Sequence, residues 1–268
     1  MVEAPALQAV EESGWRRGFA NLFRKENDRW WRTSRWMLQT VLWLVVLNGI
    51  LAMGLWIVPL VRPEAAQGLA DNLELFTWAV SFCPMFAVIV ITHGAIVGEK
   101  QSGTAAWILS APVSRSAFIL TKILSNVIGF FVTIIALQGL VAYLQLVLFE
   151  GGPVPLGRYL SILGLLALYL FFYLTLTLML GTFFDASGPV LGIAIAVAVG
   201  SMFGIGGGLN GFVPGAVWFF PETLTRMASA MALGVAAPGK WPVPVVAVSL
   251  YSVAFVALAI WRFEREEF

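Results

Sequence analysis

Charged side chains are scarce in this 268-residue sequence. Only 12% of the residues are Asp, Glu, Lys or Arg, whereas 59% are hydrophobic. Soluble domains carry about 25% charged residues and about 45–50% apolar ones. The composition therefore excludes an ordinary soluble domain. The formal net charge of +1, without a clustered basic surface, also argues against a nucleic-acid partner.

Cysteine and histidine occur once each. Cys83 alone cannot form an internal disulfide framework or a multi-cysteine metal site, and we interpret it as a small residue of an apolar segment. His93 alone cannot supply the three protein ligands of a catalytic zinc. We interpret His93 as an interfacial or helix-packing residue rather than a proton relay, and we predict no metal site.

Motifs that mark common enzyme active sites are also missing. The sequence has no G-x-x-x-x-G-K-[ST], so it has no phosphate-binding loop of its own, and it has no H-E-x-x-H or G-x-S-x-G. Ionisable residues are nearly absent from the apolar segments, which disfavours a secondary carrier that couples transport to a titrating group. We therefore expect a chain that is not itself an enzyme and binds no cofactor.

Long apolar runs make up most of the chain. A helix needs about 20 apolar residues to cross a bilayer core, and backbone groups in hydrocarbon must be hydrogen-bonded internally. Hydropathy predicts six such helices, at residues 37–61, 75–97, 118–148, 156–183, 189–208 and 242–261. The predicted fold class is an all-α polytopic membrane protein with six transmembrane helices.

The basic residues predict the orientation of these helices. Of the 16 Lys and Arg residues, twelve fall on the side of the two termini and four on the other. By the positive-inside rule, both termini are cytoplasmic and the protein spans the cell inner (plasma) membrane several times. We divide the chain into a cytoplasmic tail and amphipathic helix (1–36), a transmembrane domain (37–262) and a cytoplasmic tail (263–268).

An amphipathic helix is predicted before the first span. Phe19, Phe23 and Trp30 share one helical face, whereas most of the basic side chains lie elsewhere. This pattern is typical of a helix that lies in the membrane interface. The alternative is a basic juxtamembrane anchor with an aromatic belt.

The segment 210–241, before the last span, is rich in proline and has an apolar middle. The apolar middle is too short on its own for a span, so we expect a re-entrant or interfacial helix pair on the external side. Just before it, Gly200, Gly204 and Gly208 stand four residues apart. This spacing favours close helix packing, and it also favours a helix break near 206–211.

A charged, proline-ended stretch, GEKQSGTAAWILSAPVSRS (98–116), separates the second and third spans. Ser102 is suited to cap a helix that begins near Gly103 or Thr104, and Pro112 ends that helix. About two turns remain, which is marginal for an isolated helix, so we expect it to dock on another surface.

The apolar residues of this helix, Trp107, Ile108 and Leu109, cover much of its circumference. Such a helix suits a groove on a partner protein. The alternative is an ordinary solvated loop that obeys the positive-inside rule.

The extended stretch GEKQSGTAAWILSAPVSRSAFILTK resembles the cytoplasmic segment of ABC-2 type (type V exporter-like) ABC transporter permeases. The positions that carry the resemblance are Glu99, Gly103, Thr104, Pro112, Ser114, Arg115 and Lys122. The FRKEN sequence with Glu26 is similar to the amphipathic connecting helix of that family. The six-span layout also fits, so the resemblance covers nearly the whole chain.

The resemblance implies the transmembrane permease subunit of an ABC transporter. ATP and Mg would bind to a separate nucleotide-binding (ATPase) subunit, on which a short coupling helix of this chain would dock. The residues implied in that coupling are Glu99, Lys100, Gly103, Thr104, Trp107, Ile108, Leu109, Pro112 and Arg115. The other implied partners are a second permease chain and membrane lipid, and the implied direction of transport is export.

Other functions stay open at this stage. A membrane scaffold or mechanotransmission subunit would use the same contacts without moving a solute, and a secondary carrier or a membrane enzyme is less favoured. Six aromatic residues would line a path for a hydrophobic or amphipathic substrate or would simply form packing core: Phe130, Phe131, Tyr143, Phe171, Phe172 and Tyr173. We interpret Asp185 as a turn former, with a second partner contact as the alternative.

Overall fold

The structure is a computed structural model that describes residues 13–150, 154–235 and 240–266. Residues 1–12 of the predicted N-terminal tail and 267–268 of the C-terminal tail lie outside the described residues. The described part of the chain is helical and contains no strand. The helices are α1 (Phe19–Trp31), α2 (Arg35–Val61), α3 (Leu69–Gln101), α4 (Thr104–Ser110), α5 (Arg115–Phe149), α6 (Leu156–Phe183), α7 (Ser187–Met202), α8 (Ile205–Asn210), α9 (Glu222–Ala232) and α10 (Pro242–Glu264).

Five of these helices are long and apolar enough to cross a membrane: α2, α3, α5, α6 and α10. The prediction of a polytopic helical membrane protein is therefore confirmed. The fifth predicted span, 189–208, coincides with α7, which has only 16 residues. A helix of that length extends about 24 Å, less than the hydrocarbon thickness of about 30 Å. A sixth crossing helix stays a prediction.

The glycines near the end of α7 produce a break rather than a packing stripe. Gly204 has a φ of +81°, in the left-handed region that favours glycine, and it separates α7 from α8. A Cβ atom on Gly208 would contact nothing within 4 Å, so this residue is not at a close helix contact. The helix break was expected at 206–211 and lies slightly earlier.

The two ends of the helical bundle differ in polarity. One end, here called the charged end, holds α1, α4 and the ion pairs formed by Glu26, Lys100 and Lys122. The other, here called the apolar end, holds α8, α9 and the residues that connect them. Large apolar side chains are exposed in that connection, for example Phe212 at 86%.

Helix α6 lies at the centre of the bundle. Its most apolar stretch is 67% buried, the highest value among the five long helices, and it packs against α3, α9 and α10. The Phe172 ring lies 5.5 Å from the Phe255 ring of α10, measured between centroids. The surrounding helices are therefore positioned by one shared apolar core.

Helices α2 and α5 are held together by polar side chains inside the bundle. Asn48 Nδ2 donates to Gln138 Oε1 at 2.9 Å, and Gln145 Nε2 donates to Asn48 Oδ1 at 3.0 Å. Both helices contain π-helical turns, at Leu44–Asn48 and Phe131–Ala136 among others. The side-chain hydrogen bonds between α2 and α5 help the two helices to associate, because apolar surface alone gives little preference for one partner in lipid.

Candidate functional site

The short helix predicted between the second and third spans exists as α4, with seven residues. It begins after Gly103, whose φ of +70° is a conformation that favours glycine. It ends at Ala111, which is extended immediately before Pro112, as predicted. The prediction that Ser102 caps it is wrong. The Ser102 hydroxyl lies 2.8 Å from Thr104 Oγ1 and makes no capping bond to an α4 amide.

Helix α4 presents one large apolar side chain to its surroundings. Ala105 and Ile108 are buried against the bundle, whereas Trp107 is 77% exposed. Leu109 is partly buried against the core. The residues expected to form one docking surface therefore face in two directions. Ile108 and Leu109 pack against the bundle, whereas Trp107 is directed away from the bundle. Among the exposed tryptophans of the described residues, Trp107 has the highest exposed fraction.

A buried ion cluster lies at the charged end of the bundle. Lys122 Nζ is 2.7 Å from Glu99 Oε1 and 3.1 Å from Glu26 Oε1, and the Lys122 side chain is 1% exposed. Arg29 approaches the same Glu99 oxygen at 3.8 Å. The cluster joins α1, α3 and α5, because each helix contributes one of its three buried members.

A second ion cluster involves Lys100, the neighbour of Glu99. Its Nζ atom lies 2.6 Å from Asp185 Oδ1 and 2.9 Å from Glu266 Oε1, and its side chain is 7% exposed. Arg262 Nη1 pairs with Glu266 Oε2 at 2.9 Å. The end of α3 is thereby connected to the α6–α7 turn and to the end of α10.

Asp185 therefore does more than form a turn. The Lys100 ammonium, through its hydrogen bond and its charge, holds the pKa of the Asp185 carboxyl below its ordinary value. The Asp185 backbone carbonyl also accepts a hydrogen bond from Gln101 Nε2 at 2.8 Å. The turn between α6 and α7 is thus attached to α3 through both its side chain and its backbone.

The segment between α4 and α5 is fixed by both ends of the chain. Arg115 Nη1 donates to the carbonyls of Glu264 at 2.7 Å and Glu266 at 2.6 Å. The Ser114 hydroxyl donates to the Trp15 carbonyl at 2.9 Å and accepts a hydrogen bond from the Ala117 amide at 3.0 Å, which caps α5.

Helix α1 packs against α5 rather than standing free. Trp30 is buried, and its ring lies 5.1 Å from the Phe130 ring. Gly129 makes this approach possible, since a Cβ atom there would lie 2.5 Å from the Trp30 ring. Phe19 and Phe23 stack at 6.0 Å and remain partly exposed. A helix is therefore present where the amphipathic one was predicted, at Phe19–Trp31, and its position in the membrane interface stays a prediction.

The residues singled out in the sequence are thus brought together only in part. Glu26, Glu99 and Lys122 meet in one cluster, although the sequence indicated them as members of separate segments. Glu99 and Lys100 face other residues of this chain, so Trp107 is the side chain of the stretch most available to a partner. The sequence analysis missed Arg29, Arg262 and Glu266, whose only signal was their charge beside an apolar run.

Two apolar cavities lie along α5 and α6. One of about 260 Å³ is lined by Phe130, Phe131 and Phe171, and one of about 440 Å³ by Phe131, Tyr143 and Tyr159, among other residues. Four of the six aromatic residues proposed to line a substrate path therefore do line cavities. The other two, Phe172 and Tyr173, are buried in helix packing.

No group of three or more His, Cys, Asp or Glu side chains that could hold a metal ion occurs in the part of the chain that the structure describes. His93 Nδ1 lies 2.6 Å from the Val90 carbonyl within α3, and Cys83 is a partly buried free thiol. The ion pairs at the charged end connect α1, α3 and α5 with each other and α3 with the residues that follow α10.

The helices and their composition define a multi-pass helical membrane protein. A protein family described as "Protein of unknown function (DUF2705)" matches residues 34–268, and the chain belongs to that family. The chain is also similar to "Uncharacterized transmembrane protein YxlG" of Bacillus subtilis (strain 168). The two are 28% identical over 206 residues, which cover 76% of this chain and 75% of the relative.

Proposed function

We propose that this protein is the transmembrane permease subunit of an ABC transporter. In this proposal the charged end is cytoplasmic, and α4 docks on a separate nucleotide-binding subunit that carries ATP and Mg. A second permease chain completes the translocation path, and α7 with α8 completes a set of six crossing segments. The protein then lies in the cell inner membrane and exports a hydrophobic or amphipathic substrate.

The observation that carries this proposal is the exposed Trp107 on a short helix that is rigidly supported. Ala105 and Ile108 attach α4 to the bundle, and the Lys122 and Lys100 clusters attach the end of α3 to α1, α5 and α10. A force applied to Trp107 would therefore move several helices together. Conformational coupling requires such an element, because a flexible loop would absorb the movement.

The cavities along α5 and α6 support the proposal that the substrate is hydrophobic. Their linings are almost wholly apolar side chains, and both include Phe131 and Ile135, so they adjoin each other along the same pair of helices. An alkyl or aromatic group would bury apolar surface there without leaving polar groups unpaired. A polar or ionic substrate would find no partner in these linings.

The test is co-purification of this protein with nucleotide-binding subunits of the same organism that are co-expressed with it. Trp107→Asp places a charge on the exposed docking face without touching the ion clusters, so the complex should be lost while expression persists. Trp241→Asp is the matched control, because Trp241 is 49% exposed at the apolar end. Retention of the complex by the Trp107→Asp variant would contradict the docking role.

A subunit that transmits motion without moving a solute is the second candidate. The observation in its favour is the dense packing at the centre, where Tyr173 is fully buried and Phe172 is 5% exposed. Two measurements on the reconstituted complex distinguish the two functions. Stimulation of ATPase activity by amphipathic compounds, together with their movement across vesicle membranes, favours the transporter, and docking without either favours the scaffold.

A further inference from the structure

One surface of the charged end carries a high density of positive charge. Seven of the 16 Lys and Arg residues lie between positions 16 and 35, in and beside α1. Only two acidic residues, Glu26 and Asp28, occur in the same interval. The seven basic residues, here called the basic strip, are all exposed: Arg16, Arg17, Arg24, Lys25, Arg29, Arg32 and Arg35.

The two acidic residues of the interval neutralise little of the basic strip. Glu26 is buried and pairs with Lys122 of α5, so its charge is used inside the bundle. Asp28 pairs with Arg32 at 3.4 Å, and both side chains are exposed. Five members of the strip form no salt bridge with a residue that the structure describes: Arg16, Arg17, Arg24, Lys25 and Arg35. The strip therefore keeps most of its positive charge.

The basic strip lies where a membrane surface is expected. Helix α10 crosses the membrane and ends at Glu264. In its last turn the Phe263 ring stacks on the Phe118 ring of α5, with the two centroids 4.9 Å apart. One turn further along α5, Lys122 contacts Glu26 of α1. Helix α1 therefore packs beside the region in which the apolar part of a crossing helix ends.

Tryptophan side chains mark the same boundary on both sides of α1. Trp261, near the end of α10, is 48% exposed. Trp31 and Trp36 are partly exposed, flank the three-residue link between α1 and α2, and have ring centroids 6.3 Å apart. Tryptophan is enriched at the level of the lipid headgroups. Arg32 and Arg35 neighbour Trp31 and Trp36 in the chain, so their guanidinium groups belong to the headgroup level.

We propose that the basic strip binds anionic phospholipids of the surrounding bilayer. Arginine matches phosphate oxygens with paired hydrogen bonds, and clusters of about four to eight basic residues beside a crossing helix attract anionic lipid. A lipid fits better than an acidic protein, because the strip continues directly into α2 and adjoins the tryptophans of the headgroup level. The bound headgroups hold α1 at the membrane surface. This inference goes beyond the transporter proposal and does not depend on a nucleotide-binding subunit.

The direct test is native mass spectrometry of the purified protein in a neutral detergent, with equimolar phosphatidylglycerol and phosphatidylcholine added. We expect the wild type to retain several-fold more phosphatidylglycerol than phosphatidylcholine. The triple variant Arg24→Gln, Lys25→Gln, Arg35→Gln should lose most of this preference, because it removes three unpaired cations. Arg29 and Arg32 are left in place, since they contact acidic side chains of this chain.

The matched control is the triple variant Arg62→Gln, Arg226→Gln, Lys240→Gln. It removes the same number of exposed cations outside the basic strip, and it should keep the wild-type preference. Equal binding of the two lipids by the wild type would overturn the proposal. So would an equal loss of preference in both triple variants, because the preference would then follow net charge alone.

Two additions to this experiment identify what the strip recognises. Glycerol 3-phosphate carries the phosphate without acyl chains, and an excess of it should leave phosphatidylglycerol bound. Complete displacement would make the strip a site for soluble phosphates and would contradict the lipid proposal. Raising the salt concentration should reduce the preference, because salt screens charges at an exposed surface. A preference that does not change with salt would contradict recognition by charge.

Thermal unfolding in detergent gives a second readout and shows whether each variant is folded. A ligand that binds only the folded state raises the unfolding temperature. Phosphatidylglycerol should therefore raise this temperature more than phosphatidylcholine does in the wild type and in the control variant. In the Arg24, Lys25, Arg35 variant the two lipids should have equal effects. An undiminished effect of phosphatidylglycerol on that variant would overturn the proposal.

Discussion

The charged end and the apolar end of this protein differ in how their acidic side chains are paired. Glu26 and Glu99 share the buried ammonium of Lys122, whereas Glu222, which is partly buried at the start of α9, accepts a hydrogen bond from Thr225 Oγ1 and forms no salt bridge with a described residue. Removal of one partner from a buried ion pair leaves an uncompensated charge, so the helices of the charged end depend on their pairing. The described residues of the apolar end have no comparable network of ion pairs, and helix packing holds that end together.

The largest effect should follow from removing the shared cation. Lys122→Met leaves Glu26 and Glu99 facing each other in a buried site, and loss of one partner of a buried pair costs about 3–5 kcal/mol. We expect a large drop in the thermal unfolding temperature in detergent. The triple variant Glu26→Gln, Lys122→Met, Glu99→Gln should regain most of the loss. If the Lys122→Met variant were as stable as the wild type, the ion cluster would not stabilise the charged end. The contrast between the two ends would then disappear.

The second-largest loss of stability should come from disturbing the contact between α1 and α5. Gly129→Ala places a Cβ atom 2.5 Å from the Trp30 ring, and overpacking of this kind costs about 1–3 kcal/mol. Thermal unfolding measures it. Gly164→Ala is the matched control, because a Cβ atom there meets nothing within 4 Å. Equal stabilities of the two variants would show that α1 is loosely attached.

A smaller effect should come from the turn that begins α4. Gly103→Ala forces a side chain into the left-handed region at φ +70°, which costs about 1–2 kcal/mol. We expect reduced stability and, in the assembled complex, weaker ATPase coupling. Gly98→Ala, in the helical part of α3 with nothing within 4 Å of its Cβ position, should change neither. An unaffected Gly103→Ala variant would indicate that the position of α4 is not fixed by this turn.

The smallest effect concerns Asp185, whose side chain is 82% exposed. Because Lys100 lowers its pKa, the pair stabilises the fold above the pKa of an ordinary aspartate and loses that contribution as the pH falls through the lowered pKa. The Asp185→Asn variant should therefore have a slightly lower thermal unfolding temperature than the wild type at neutral pH. In strong acid the two proteins should unfold at the same temperature. A difference that persists in strong acid would assign the effect to packing rather than to charge.

Hydropathy located the long helices because each is dominated by a single apolar run, and it misjudged their ends. The second predicted span was 75–97, whereas α3 is Leu69–Gln101, since its polar ends continue the helix beyond the apolar run. Helix α7 was predicted too long because the apolar run continues past Gly204, where a positive φ ends the helix. The glycines indicated a helix break, but they placed it near 206–211 rather than at Gly204.

The candidate site was predictable as a segment but not as a set of contacts. The proline and the small residues of 98–116 indicated a short helix, and local rules determine where it stops. The partners of Lys122 and Lys100 lie far away in the chain, and a charge beside an apolar run has many candidate partners.

The most direct test of the central claim is site-specific photo-crosslinking from α4. A benzoylphenylalanine at position 107, in the protein expressed in its native host, should crosslink to a nucleotide-binding subunit, with a yield that changes when ATP is added. The same group at position 241, at the apolar end, should not. Crosslinks from position 107 only to lipid or to other copies of this chain would contradict the account.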